Sequence, residues 1–262
     1  HRDLHSFPTR RSSDLSVLFK IPDLNDLISL LTDNFEKNIS QIQTLEEAGQ
    51  KFVEVMFNEF NESIELLRIF ITLDYQNLTP AIKEFANGLS KKANFNLDST
   101  SKILTLLGTV GKNKDWNTRL KSQGHKGIPL ASSEFISAIP MMSALLEQLG
   151  FDLGWIRGEP EIVSKKIGSM GGTFYVQDAS TTKDTKGRLI IAAQDFVKNQ
   201  NVKSVFGFGG GYYVGGYFLT CICFLNESIP VSTANSFQGL ANIFKAATGN
   251  LIKDPKKYFV NK

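Results

Sequence analysis

Apolar residues recur at helical spacing at Leu24, Leu27, Ile28, Leu31 and Phe35, which predicts an amphipathic helix over 23–36. A second helix opens at Thr44, where Glu47 three residues on completes a capping box, and its apolar face is Leu45, Ala48, Phe52, Val55, Met56 and Phe60. The period then changes. Residues 64–73 are short, β-branched and aromatic, and they run into a turn-like Asp-Tyr-Gln-Asn: a buried strand. Thr79-Pro80 starts another helix, because proline in the first turn gives up an N–H that would have no partner there. A strand over 103–110 follows, closed by Gly111, and then a polar surface loop over 112–127 that contains Trp116. Ser132 or Ser133 caps a helix that Pro140 must kink or split, and Gly150 stops it.

Residues 152–172 are expected to be an irregular excursion, and residues 173–177 a short strand ending at Asp178. Residues 189–196 fit one or two helical turns. Strands over 202–208 and 212–225 are expected to join at Gly209-Gly210-Gly211 as a hairpin. Residues 217–225 are apolar on both faces, which places that strand inside the sheet with cover on each side. A final helix near 232–251 carries Phe237, Leu240, Phe244, Ala247 and Leu251 inward. This order of elements describes an α+β fold, a central antiparallel sheet sandwiched between helix layers.

The run Phe174–Asp178, a short helix, Val202–Phe206, a glycine turn, Gly216–Phe224 and a closing helix resembles the second half of a GAF domain. More narrowly, Leu67–Phe70, Leu106–Thr109, Trp116 with Asn117 and Arg119, Gly124-His125 with Ile128–Leu130, and Phe206–Gly210 resemble a GAF-like module of bacterial signalling proteins. The likeness spans residues 40–252, with 16–39 as a helical lead and 253–262 as a solvated tail. The resemblance implies a sensory or regulatory domain in bacterial signal transduction. It also implies a ligand-sized cavity on one sheet face, first and last helices that pair in a homodimer on the other, and histidine-kinase or PAS segments as signalling partners. The pattern of cyclic-nucleotide-binding members is absent, since Asn113-Lys114 has no matching continuation, and no Cys–His pair matches a bilin attachment site.

Composition narrows the function classes. Apolar residues make up 42% and charged residues 21% of 262 residues, ordinary for a globular chain. A net charge of +3 gives no electrostatic footprint for nucleic acid. The longest apolar stretch, 217–225, falls well short of the ~20 residues that cross a bilayer, so no membrane partner is expected. Two cysteines rule out a disulfide framework and suit a reducing, cytoplasmic compartment. Residues 1–15 have no helical or strand periodicity and resemble the translated sequencing-adapter read-through found in shotgun assemblies, so they are expected to lie outside the fold. They hold His1 and His5, which leaves His125 as the sole histidine of the remainder and removes any histidine-based metal site. Neither a metal nor a cofactor is expected.

The densest polar set is Trp116, Asn117, Arg119 and His125 in the 112–130 segment. An indole, an amide, a guanidinium and an imidazole can stack on and hydrogen-bond a planar or anionic small molecule; the competing reading is a loop pinned by a buried tryptophan. Asp178 could reach a ligand from its strand end, or simply form a turn or helix cap ahead of the Ser-Thr-Thr run. No nucleophile–base–orienter set surrounds His125, so the chain is read as a non-catalytic module. Cys221 and Cys223 offer the alternative, a thiol-dependent redox enzyme on the same fold; they share one strand face without a basic neighbour in sequence, which favours core packing. A third possibility is a purely structural dimerisation domain.

Overall fold

The computed structural model describes residues 41–122, 124–151, 171–213 and 216–260, together with Ser29, Thr32 and Asp33. The first fifteen residues, most of the helix expected over 23–36 and the excursion at 152–170 lie outside these. Thr44 caps helix α1 (Leu45–Glu59): its hydroxyl accepts the Glu47 amide while the Glu47 carboxylate accepts the Thr44 amide, the predicted capping box. Six strands follow in chain order: β1 (Ile64–Asp74), β2 (Lys102–Gly111), β3 (Gly127–Pro129), β4 (Gly171–Val176), β5 (Ser204–Gly211) and β6 (Phe218–Leu225). They form one sheet in the order β3-β2-β1-β6-β5-β4 with every neighbour antiparallel.

Alternation along the central strand β1 divides the interior in two. Leu67, Ile69 and Ile71 face a core shared with α1, with α2 (Pro80–Lys92), and with α6 (Val231–Ser236) and α7 (Gly239–Thr248). Leu66 and Phe70 face the opposite core, shared with α3 (Ser133–Ser137), α4 (Pro140–Gln148) and α5 (Gln194–Asn199). The fold is therefore α+β, an antiparallel sheet between helix layers, as the element order implied. Among the described residues no helix is long and apolar enough to cross a membrane.

The layer beneath α1 is held by a backbone approach that only glycine permits. A Cβ on Gly108 would stand 2.6 Å from the Gln50 amide nitrogen and from the Gly49 carbonyl. The β1–β2 register slips beside it, with Ile69 opposite Gly108 and Phe70 opposite Leu106. Gln50 then spans the gap, donating to the Thr109 carbonyl at 3.2 Å and accepting its amide at 3.1 Å.

Several local expectations are corrected. The glycines at 209–211 lie within β5 rather than in a hairpin turn, where the β5–β6 contact leaves no room for a side chain: a Cβ on Gly209 would run into the Leu219 carbonyl oxygen and sit 2.9 Å from the Phe218 ring. The polar loop ends in an edge strand, β3, which the run Gly127-Ile-Pro129 forms against Ile103–Thr105. The turns expected over 189–196 form later, as α5, since Gln194 caps the carbonyls of Ile191 and Ala179 before the helix begins. Pro140 splits its helix cleanly into α3 and α4, with Ile139 extended between them. The last helix also breaks in two, where short i→i−3 bonds to Ala234, Asn235 and Phe237 tighten the chain ahead of Gly239.

The chain beyond residue 252 is not a solvated tail either. Lys253, Lys256 and Lys257 are exposed, but Tyr258 and Phe259 are buried in the α1-side core, and the Tyr258 carbonyl accepts the Glu46 amide. The residues expected to form a dimer contact are spent in the same way. Phe52, Met56, Phe237, Leu240 and Phe244 are buried in the chain's own core, with the Phe52 and Phe244 rings 5.3 Å apart, while Val55 is partly buried against it.

The two helix and strand glycines give opposite tests. Gly108→Ala should cost about 1–3 kcal/mol in chemical denaturation, because backbone rather than a flexible side chain blocks the new methyl. Gly88→Ala, exposed on α2 with open space around it, should instead gain roughly 0.5–1 kcal/mol.

Candidate functional site

With α1, α2, α6 and α7 on one face of the sheet, the other face has room for a cavity, and one of about 900 Å³ is found there. Its floor is the sheet itself, through Leu66, Arg68 and Phe70 of β1, Thr109 of β2, and Ile222 and Phe224 of β6. The roof comes from residues 139–142 at the α3–α4 junction and from residues 190–196, and the 113–125 segment forms the remaining wall. The lining is mostly aliphatic and aromatic with few polar groups, the usual make-up of a small-molecule site.

Two of the five residues predicted for a site line this cavity. Trp116 stands edge-on to Phe196 at 5.6 Å between ring centroids, and Phe196 stands edge-on to Phe224 at 5.3 Å. The indole is also packed over the end of β2, where a Cβ on Gly111 would lie 2.7 Å from its Cε3. Trp116 thus both pins its loop and presents ring surface to the cavity. His125 holds a positive φ of 59°, which histidine tolerates better than most residues. The residue is exposed and lines the cavity. Burial, and secondarily the Arg68 guanidinium, holds the imidazole below the usual histidine range, so it is neutral at pH 7.

The other three are placed elsewhere. Asn117 is exposed and ties the loop to β2, its Oδ1 accepting the Gly111 amide at 2.9 Å. Arg119 turns away to the α1 side. Its Nε and Nη2 donate to the two Glu46 carboxylate oxygens at 2.6 and 2.7 Å, and its guanidinium lies over the Phe259 ring at 5.0 Å. Glu46 Oε2 also accepts the Val260 amide at 3.1 Å. Arg119 therefore fastens three segments together, and the expectation that it meets a ligand is corrected. Asp178 closes a turn: its Oδ1 accepts the Ser180 amide and hydroxyl at 2.8 and 2.6 Å, and these bonds hold its carboxyl below the ordinary range.

The sequence reading passed over the most informative group. Arg68 projects from the middle of β1 onto the cavity floor, and its interruption of the apolar run Leu66-Leu67…Ile69-Phe70 was visible in the sequence. Its Nε is shut off from solvent and has no hydrogen-bond partner, and no carboxylate pairs with it among the described residues. Burial draws its pKa down from the usual guanidinium value, although a guanidinium keeps its proton at pH 7. Thr109, opposite Arg68 in the β1–β2 register, is buried with an Oγ1 that likewise has no partner. At the mouth, Lys121 and Asp115 neutralise each other at 3.0 Å, both well exposed.

The thiols stand apart from this site. Cys221 and Cys223 are fully buried in the α1-side core, on the far face of the sheet from the cavity. Burial and the neighbouring Cys221 push the Cys223 thiol well up, away from a reactive thiolate. Among the described residues, no three histidine, cysteine, aspartate or glutamate side chains gather to hold a metal.

No family model and no curated protein matches this sequence. Two solved structures are similar to it at low identity. The X-ray structure of a free methionine-R-sulfoxide reductase from Neisseria meningitidis, in complex with its substrate, is 11% identical at a TM-score of 0.45, covering 88% of this chain and 93% of that one. The far-red absorbing dark state of a protein with bound biliverdin IXa is 10% identical at a TM-score of 0.41, covering 85% of this chain and 99% of that one.

The Arg119–Glu46 pair separates scaffold from site. Arg119→Ala should lower stability by about 1–3 kcal/mol, the scale of lost hydrogen bonds to a charged partner, as read by urea denaturation. Glu46→Ala should show a similar loss.

Proposed function

We propose that this chain is a GAF-like sensory or regulatory module that binds a small molecule in the cavity between the sheet and the 113–125 segment. The observation that carries the reading is the cavity itself, about 900 Å³ lined by Trp116, Phe196 and Phe224 with isolated polar groups on its floor. A site with one neutral imidazole and no hydroxyl or thiol paired to it suits recognition better than bond-making. In this reading the domain works in the cytoplasm, and a signalling partner of the histidine-kinase or PAS type registers whether the cavity is occupied.

Ala192 and Ala193 are exposed at the rim, so the mouth can be blocked without disturbing the core. Compounds that raise the melting temperature of the wild type in a small-molecule screen should lose their effect on Ala192→Trp. The ligand-free stability of that variant should stay within about 0.5 kcal/mol of wild type, as for other surface changes. Hits that survive the plug would place binding elsewhere and defeat the proposal.

The redox alternative makes a different demand, an accessible thiol. Native protein should react with Ellman's reagent only as fast as it unfolds, whereas rapid labelling of Cys221 or Cys223 in the folded state would favour thiol chemistry.

A further inference from the structure

We propose that the cavity takes a small organic acid with a single negative charge, its carboxylate held by the Arg68 guanidinium on the floor and its apolar body against Trp116, Phe196 and Phe224. The inference rests on the binding reading above and narrows it to one class of ligand.

The charges around the cavity decide the sign. Lys121 and Asp115 cancel at the mouth, and His125 is neutral, which leaves the Arg68 guanidinium as the one uncompensated charge among the described lining residues. A guanidinium in apolar surroundings is costly unless something pairs with it, and nothing in the described protein does. Its planar fork matches a carboxylate with two parallel bonds. The imidazole of His125 adds an N–H within the same cavity. One net cation balances a monoanion. A phosphate dianion would bring a second charge with no cation to meet it on an apolar floor. The rest of the lining sets the body of the ligand: an edge-to-face series Trp116–Phe196–Phe224 offers ring surface to a planar hydrocarbon or aromatic group.

The test is calorimetric titration of 3-phenylpropionate and indole-3-acetate, each beside its own carboxamide, with inorganic phosphate as a further probe. The acids should bind at least about tenfold more tightly than the amides, the order of a charge-assisted pair, and phosphate should not displace them. That preference should collapse in Arg68→Gln. It should persist in the double variant Asp115→Asn/Lys121→Gln, which removes the mouth pair at constant net charge. A second measurement needs no ligand: Arg68→Met should melt at a higher temperature than the wild type, because it deletes a buried charge that lacks a partner. A lower melting temperature would make Arg68 a structural residue and overturn the inference. Acids and amides binding alike, or amides binding where acids do not at millimolar concentration, would overturn the ligand class while leaving a binding cavity in place. If neither acids nor amides bind and no compound responds to the Ala192→Trp plug, the ligand class and the binding reading fall together.

Discussion

Much of this molecule follows from two glycines that let a helix lie directly on a sheet. Gly49 of α1 and Gly108 of β2 meet backbone to backbone, and Gln50 stitches the contact with two hydrogen bonds to Thr109. With α1 that close, its large side chains Phe52 and Met56 fill the space on either side, and α7 joins them through Phe244. The cavity lies on the opposite face, between β1 and residues of the α3–α4 junction and α5, with a long polar segment as its remaining wall.

The scaffold and the cavity share this segment, and its residues divide the labour. Asn117 and Arg119 bind it to β2 and to Glu46 respectively, while Trp116 and His125 look the other way into the cavity. A short stretch with alternating 3₁₀ turns can face two directions because successive side chains diverge. The Glu46 carboxylate is the fixed point. It holds Arg119 and the Val260 amide at once, so the wall of the cavity, the start of α1 and the end of the described chain are anchored at one residue.

Local chemistry was readable where a single residue type has a single use. Thr44 with Glu47, Pro80 at a helix start and Pro140 between two helices all behave as their backbone constraints require. The strands were readable from their apolar runs, and so was the sheet face that must carry a cavity. The glycines of β5 were not, because a glycine in a turn and a glycine in a crowded strand look identical until the facing strand is known. The same applies to the site. Trp116 and His125 were found by their density in a polar segment, and so were Asn117 and Arg119, yet the direction each side chain takes depends on Glu46 and Gly111, partners distant in sequence or fixed by loop geometry. Arg68 was missed for the opposite reason. It sits among hydrophobic residues, where a strand reading counts apolar neighbours and passes over the one polar position that the alternation points into the cavity.

An unpaired guanidinium on the floor of a cavity makes the free protein less stable than its own architecture would allow. A carboxylate that binds only the folded chain draws it away from the unfolded ensemble by mass action, adding about 2.7 kcal/mol when its concentration is a hundred times its dissociation constant. Proteases in the cell act on the transiently unfolded population, so a gain of that size multiplies the lifetime of the chain. On the proposal that the cavity takes an acid, Arg68 would link the supply of that acid to the abundance of the protein, by a route that needs no change of shape.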